Sequence, residues 1–167
     1  MKKYCVILFG FIVLLANFAV KAQTAQKQAI VKVTGEVITP LALSISDLQQ
    51  FPQTNVTRKD KDGNDHVYSG VILSAILQKA GVTLGKDLRG ENLTKYLQID
   101  AADGYQVVFA LAELDKDFAD RTIILADIMD DKPLPAADGP FRIIVQDEKK
   151  PARCIKQVTG IKVAFAK

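Results

Sequence analysis

The segment from Asp130 to Val163 constrains the fold most, because it joins a tight turn, a short apolar run and a basic stretch. Asp138-Gly139-Pro140 ends any preceding element, since glycine permits positive φ and proline fixes φ and lacks an N–H. The run from Phe141 to Val145 is short, β-branched and bounded by turn residues, which predicts a buried strand rather than a helix. Arg142 lies inside that run. A buried arginine requires an anionic partner or a path to water.

Further cations follow Arg142 closely in the sequence: Lys149, Lys150, Arg153 and Lys156. A guanidinium can hold an oxyanion through its bidentate fork, and an ammonium can do so as a point charge. The same cations could instead pair with acids on a solvated face; the nearby acids are Asp138, Asp147 and Glu148. We expect Arg142, Arg153 and Lys156 to converge on one concave, electropositive patch if the strand and the basic stretch are neighbours.

The N-terminal pattern predicts a secretory signal peptide over residues 1–22. A basic start at Lys2 and Lys3 precedes an apolar run from Val6 to Val20, and Ala22 supplies a small residue for cleavage. The alternative is a membrane anchor, but an apolar run of roughly 15 residues is short of the roughly 20 that a span needs. We therefore expect a flexible leader over 23–29, one domain over 30–167, and a periplasmic or secreted protein without a stable membrane anchor.

Cleavage at that point would also change the charge of the protein. The formal net charge of +3 would fall to zero, because Lys2, Lys3 and Lys21 are lost and no acid is lost. A neutral chain without a basic stripe argues against nucleic-acid binding. One cysteine, Cys154, would remain, so an internal disulfide is excluded and the core must hold the fold.

Two segments that flank residues 59–65 predict a hairpin, with Asp62-Gly63 in its tip. An EF-hand loop starting at Asp60 would need glycine at its sixth position and glutamate at its twelfth. Gly63 and Val71 do not fit those requirements, so a solvated turn is favoured over a calcium site. His66 is the only histidine, which favours a hydrogen-bonded residue over a metal ligand, because zinc takes three or four protein ligands.

Short strands and short helices follow one another along the chain. The predicted elements are a strand over Ile30–Val37, a helix over Asp47–Gln50 capped by Ser46, a helix over Ser74–Ala80 ended by Gly81, paired strands over Leu97–Ala101 and Tyr105–Leu111, and a strand over Thr122–Ala126. This pattern predicts a single α+β domain with a mixed β-sheet and short helices.

Several uncommon features stand in a fixed order near the C-terminus. They are Leu125-Ala126, Pro133-Leu134-Pro135, Gly139-Pro140, Arg142 and the pair Arg153-x-x-Lys156. Together they resemble the C-terminal part of the sulfite-oxidase-like molybdopterin-binding oxidoreductase domain. Residues 70–73 fit that family's W-x-G-V-x-L element with Tyr68 in place of tryptophan, and residues 102–105 fit its A-D-G-Y element. The resemblance begins near residue 33 and covers nearly all of the mature chain.

The resemblance implies a molybdopterin cofactor whose dithiolene holds molybdenum, with one protein cysteine as a further ligand. It also implies that Arg142, Arg153 and Lys156, with Asp103 and Tyr105, lie around the cofactor. In the family the ligand cysteine lies in the loop before the W-x-G-V element, and here residues 56–68 contain none. That departure argues against molybdenum as a bound metal, so no metal ligand is assigned.

Cys154 has two interpretations. Neighbouring cations would favour its thiolate if it were exposed. A small buried residue is the interpretation we favour, since free cysteines are usually buried.

Two functional hypotheses follow. One is an accessory or ligand-binding domain for an anionic small molecule or pterin, without molybdenum redox catalysis. The other is a molybdopterin-dependent oxidoreductase with non-standard metal ligation. Either could have a redox or membrane partner protein.

Overall fold

Ten β-strands form two five-stranded sheets in the computed structural model, which describes residues 29–166. The predicted signal peptide and most of the predicted leader lie outside the described residues. The strands are β1 (Val31–Gly35), β2 (Leu41–Leu43), β3 (Thr54–Lys59), β4 (Asp65–Ile72), β5 (Lys95–Ala101), β6 (Gln106–Ala110), β7 (Ile123–Met129), β8 (Lys132–Pro133), β9 (Arg142–Val145) and β10 (Val158–Phe165). The α-helices are α1 (Ile45–Leu48) and α2 (Leu73–Lys79), and short 3₁₀ turns cover Gly85–Asp87, Gly90–Thr94, Leu111–Leu114 and Pro151–Arg153.

The first sheet has the order β2-β1-β10-β5-β6, and its β1–β10 pair is parallel while its other pairs are antiparallel. In the second sheet β3, β4 and β7 are neighbours, and β8 and β9 pair with different parts of β7. The predicted α+β architecture with mixed strand pairing is therefore confirmed. The strands divide between two sheets where the prediction had one.

The main hydrophobic core draws on both sheets and on α2. Val33 and Val163 come from the first sheet, Leu125 and Ile143 from the second, and Ile76 from α2, all fully buried. A smaller cluster around Tyr68 and Ile144 lies on the other face of the second sheet. Successive side chains of a strand point to opposite faces of the sheet. One face of β4, β7 and β9 therefore packs against the main core, and the other face carries the smaller cluster near the site described below.

Helix α1 begins earlier than predicted, and Ser44 rather than Ser46 is its N-cap. The Ser44 Oγ accepts a hydrogen bond from the Asp47 N–H at 3.3 Å, and the Asp47 carboxylate accepts one from the Ser44 N–H at 2.9 Å. This reciprocal capping box needs an acidic or amide residue three positions after the cap. Ser46 has Gln49 at that spacing, but Asp47 offers a carboxylate, which is the stronger acceptor at the positive end of a helix, so Ser44 is the cap.

The predicted hairpin and the predicted strand pair are both present. Strands β3 and β4 pair in antiparallel register with Arg58 opposite His66, and β5 and β6 pair around the turn at residues 102–105. None of the helices within residues 29–166 is long and apolar enough to cross a membrane.

Candidate ligand-binding cleft

A cleft of about 600 Å³ opens beside the tip of the β3–β4 hairpin. Its other walls are the end of β7, the β8–β9 loop and the segment from residue 150 to 156. We call it the main cleft, and its lining residues are Asp60, Lys61, Asp62, His66, Met129, Asp138, Arg142, Lys150, Pro151, Ala152, Cys154 and Lys156. The volume falls within the range of small-molecule sites, and the walls mix charged groups with apolar ones.

Arg142 lies at the base of the main cleft with only 3% of its side chain exposed. Its Nη1 donates to the Asp138 carboxylate at 2.8 Å, to the Tyr68 hydroxyl at 2.7 Å and to the Asp60 carboxylate at 3.3 Å. Its guanidinium also stacks over the Tyr68 ring, 5.0 Å from the centroid. Arg142 therefore has two anionic partners, Asp60 and Asp138.

Tyr68 joins the two sides of this cluster. Its ring is fully buried, and its hydroxyl donates to Asp60 at 2.5 Å while accepting from Arg142. Burial and the Asp60 hydrogen bond raise the pKa of the Tyr68 hydroxyl, so it stays protonated. Burial also works to raise the pKa of Asp60, but the Tyr68 hydroxyl and the Arg142 charge outweigh it and lower that pKa. Asp60 is therefore an ionised acceptor.

Lys156 and Arg142 share one carboxylate. The Lys156 Nζ lies 2.5 Å from the Asp138 Oδ1, and Arg142 binds the Asp138 Oδ2. Lys156 is half exposed at the mouth of the cleft, whereas Arg142 is buried at its base. The structure thus brings these two sequence-predicted residues together, but through an acid that lies between them.

Arg153 lies elsewhere, so the expected convergence of three cations is wrong for this residue. Its guanidinium pairs with Glu148 at 3.0 Å and Glu113 at 2.9 Å, and it stacks on the Phe109 ring at 4.7 Å from the centroid. The short turn at Pro151–Arg153 directs this side chain away from its neighbours in sequence. Asp60 and Asp138 accompany Arg142 and Lys156, so acids offset the charges of these two cations at the base of the cleft.

Asp103 and Tyr105 line a second, smaller cleft of about 250 Å³, which we call the side cleft. It shares residues 151, 152, 154 and 156 with the main cleft. The Tyr105 hydroxyl donates to the Ala152 carbonyl at 3.1 Å, and Asp103 accepts from the Tyr105 N–H at 2.9 Å. Four of the five predicted cofactor residues thus line one or other cleft, and their binding role remains a prediction.

His66 bridges two acids at the rim of the main cleft. Its Nδ1 lies 2.6 Å from Asp130 and its Nε2 lies 2.9 Å from Asp62. The hydrogen bonds to Asp130 and Asp62 raise the pKa of His66 to about 9, so the ring is a cation at neutral pH. The bond to His66 lowers the pKa of Asp62 to about 2. The sequence-based interpretation of His66 as a hydrogen-bonded residue agrees with this geometry.

The sequence did not single out Asp60, Tyr68 and Asp138 as parts of one cluster with Arg142. Asp138 was named as an acid that could pair with these cations, and its place beside the Gly139-Pro140 turn was the available signal. No periodic pattern links Tyr68 to Arg142, because they lie on different strands far apart in sequence. Their contact depends on β4 and β9 both pairing with β7.

Cys154 is 3% exposed and packs in the main core beneath both clefts. Its Sγ accepts a hydrogen bond from the Val145 N–H at 3.5 Å. Burial raises the pKa of the Cys154 thiol, since the thiolate would lose its solvation. The interpretation of Cys154 as a small buried residue agrees with this position.

Residues 17–166 match the family described as oxidoreductase molybdopterin binding domain. The chain belongs to this family. Among solved structures, the sulfane dehydrogenase SoxCD from Paracoccus pantotrophus matches with a TM-score of 0.64 and 20% sequence identity. The match covers 81% of this chain and 38% of that chain, so this protein spans well under half of its structural neighbour. No curated protein matches the sequence.

The residues of the main cleft do not fit a sulfur-ligated molybdenum. The β3–β4 hairpin brings Asp60, Asp62 and His66 to the cleft but no thiol, and Cys154 is a buried, protonated thiol. Within residues 29–166, no group of three or more His, Cys, Asp or Glu side chains is arranged to hold a metal ion. Lys61, Lys150 and Lys156 line the cleft together with apolar residues such as Met129 and Pro151.

Proposed function

We propose that this protein is an exported accessory domain that binds an anionic small molecule, such as a pterin phosphate, without molybdenum redox catalysis. The proposal rests on one contrast within the main cleft. The thiol that could ligate a soft metal is buried and protonated, whereas lysine ammonium groups stand at the open side. A thiolate is the ligand that this metal chemistry needs, and lysines are suited to phosphate.

The lysines at the open side are suited to this role for a second reason. Within residues 29–166, neither Lys61 nor Lys150 forms an ion pair with an acidic side chain. Their charges can therefore meet an anion without first breaking a pair. The apolar wall formed by Met129, Pro151 and Ala152 would cover the organic part of the ligand.

The molybdenum content of the purified protein tests the proposal. Protein from a host that makes the pterin cofactor should contain molybdenum far below one equivalent, measured by elemental analysis. Lys156→Ala should weaken binding of a pterin phosphate and Arg153→Ala should not, because only Lys156 lines the main cleft. Equal losses for the two variants, or no binding by the wild type, would contradict the proposal.

A second candidate is a molybdopterin-dependent oxidoreductase with non-standard ligation. The observation that favours it is the position of Cys154, which is largely buried but lines both clefts. A molybdenum ratio near one that is lost in Cys154→Ser would establish this candidate and reject the first.

Export and partners belong to the same proposal. Cleavage after Ala22 would give a mature protein that begins at Gln23 outside the cytoplasm, and N-terminal sequencing of exported material would check this. The structural neighbour is a sulfane dehydrogenase, and its fold match spans part of a longer chain. We infer that this protein acts together with a redox or membrane partner protein.

A further inference from the structure

Asp138 lies where a bound oxyanion would be expected. Its two carboxylate oxygens are divided between two cations, with Arg142 at 2.8 Å on Oδ2 and Lys156 at 2.5 Å on Oδ1. Only 13% of its side chain is exposed, although it borders the main cleft. A carboxylate held by a guanidinium and an ammonium is the same arrangement that those groups would offer to one edge of a phosphate.

The backbone fixes this carboxylate in place. The Asp138 N–H donates to the Pro135 carbonyl at 2.8 Å, and the Asp138 carbonyl accepts from the Gln157 N–H at 2.9 Å. Gln157 is itself tied to this loop by a bond from its side chain to the Ala136 carbonyl at 3.1 Å. Because both backbone groups of Asp138 are bonded, its position does not depend on the ion pair with Lys156 alone.

The two ion pairs of Asp138 differ in how readily they open. Arg142 is 3% exposed and is also held by Tyr68 and Asp60, so moving it away from Asp138 would break those bonds as well and weaken the compensation of a buried charge. Lys156 is 51% exposed and can turn into water, where exposed ion pairs are weak. An incoming anion can therefore take Lys156 from Asp138 while Arg142 stays in place.

We propose that Asp138 is a specificity-determining residue of the main cleft, and that it competes with oxyanion ligands for Lys156. The inference rests on the proposed anion-binding role of the cleft. The negative charge of Asp138 opposes a multiply charged phosphate close to Lys156, while Lys150 and Lys61 remain available to it. The cleft therefore selects against compact, highly charged anions and favours larger ligands whose anionic group reaches the outer lysines.

Calorimetric titration with inorganic phosphate at neutral pH tests this role. Asp138→Asn keeps the shape of the side chain and removes its charge, and it should tighten phosphate binding by at least about tenfold. The matched control is Asp130→Asn, which removes the same charge but pairs with His66 and does not line the cleft. This control should change phosphate affinity by less than about threefold, because Asp130 lies outside the lining of the cleft and charges beyond direct contact are screened by salt.

The outcomes separate this inference from the proposed function. Measurable phosphate binding that is equal in the wild type and Asp138→Asn overturns the inference and leaves the anion-binding cleft intact. An equal gain in both variants also overturns it, since the effect would then be a general one of net charge. Absence of phosphate binding in all three proteins overturns the inference together with the anion-binding proposal.

A measurement on the wild-type protein covers the case in which Asp138→Asn fails to fold. Saturating phosphate should shift the side-chain ¹H–¹³C NMR signals of Lys156, because its ammonium must leave Asp138, and should leave those of Arg142 in place. Phosphate binding without a shift at Lys156 would overturn the inference.

Discussion

At the scale of single residues, the placement of Arg142 on a buried strand decides the character of the cleft. A guanidinium with 3% exposure needs anionic acceptors, and it obtains them from Asp60 and Asp138, which come from different loops. Tyr68 completes the cluster by donating to one acid and accepting from the arginine. Each member therefore holds another in place, and removal of one leaves a buried group without its partner.

Tyr68→Phe should lower the free energy of unfolding by roughly 1–3 kcal/mol, because Arg142 and Asp60 each lose a hydrogen bond while the ring stays packed. Urea unfolding followed by circular dichroism measures the change. Tyr105→Phe is the matched control, since its ring is 50% exposed and its hydroxyl bonds only the Ala152 carbonyl. The control should lose less than about 1 kcal/mol. Equal losses would contradict the role given to Tyr68.

At the scale of elements, β4 and β7 approach each other closely at Gly70. A Cβ at this position would lie 2.2 Å from the Leu125 carbonyl oxygen and 2.5 Å from the Ala126 Cα, both of them backbone atoms. The pairing register of β4 with β7 shifts between Ser69 and Gly70. This irregularity lies two residues from Tyr68, so it helps to set how β4 presents Tyr68 to Arg142.

Gly70→Ala should destabilise the protein by about 3 kcal/mol or more, because the backbone atoms that the new methyl group meets cannot move aside as side chains do. This loss is at or above the upper end of the range for substitutions that overfill a core. Thermal and urea unfolding measure this loss. Gly63→Ala is the control: its φ of +86° carries strain, but nothing lies within 4 Å of the added Cβ. The control should cost about 1–2 kcal/mol. A smaller loss for Gly70→Ala than for Gly63→Ala would refute the close approach.

At the scale of the whole molecule, His66 ties the tip of the β3–β4 hairpin to the turn that follows β7. Its ring bonds Asp62 in the hairpin and Asp130 in the turn, and the Val67 N–H also donates to Asp130 at 2.9 Å. Asp130 adopts a φ of +49°, which these bonds help to maintain. This bridge gives the stability of the molecule a pH dependence.

The folded-state pKa of His66, about 9, lies above its ordinary value of 6.5. The stabilisation by the protonated ring is therefore complete below pH 6.5 and is lost as the pH rises through 9. The folded-state pKa values of Asp62 and Asp130 are lowered, so their contribution is present above pH 3.8 and is lost in more acidic solution. Urea unfolding should show stability falling between pH 6.5 and 9 in the wild type.

His66→Gln provides the control for that pH dependence, because the glutamine NH2 group can donate to an acid but does not titrate. The difference in unfolding free energy between wild type and variant should shrink over the same pH range. The same slope in both proteins would show that another group causes the fall. An NMR titration of the imidazole with a midpoint near 6.5 would also contradict the raised pKa.

Local sequence patterns predicted much of the fold. The Asp62-Gly63 tip, the turn around Asp103-Gly104 and the short β-branched run after Pro140 predicted strands that are present, because turn chemistry and period-two alternation act over a few residues. The order of uncommon residues around Gly139-Pro140 indicated the family, which the match over residues 17–166 confirms. The missing cysteine in residues 56–68 was likewise a fact of the sequence alone.

The tertiary structure decided how the charges of the site are arranged. Arg142, Arg153 and Lys156 are close in sequence and chemically alike. Strand pairing nevertheless places Arg142 against Asp60 and Asp138. The 3₁₀ turn places Arg153 against Glu148 and Glu113. Such contacts join residues far apart in the chain, and their distances depend on how both sheets pack, which no local pattern encodes. The sequence by itself determined the elements, the family and the absence of a cysteine from the hairpin. Only the packing of the sheets decided that an aspartate would lie between the two cations of the cleft.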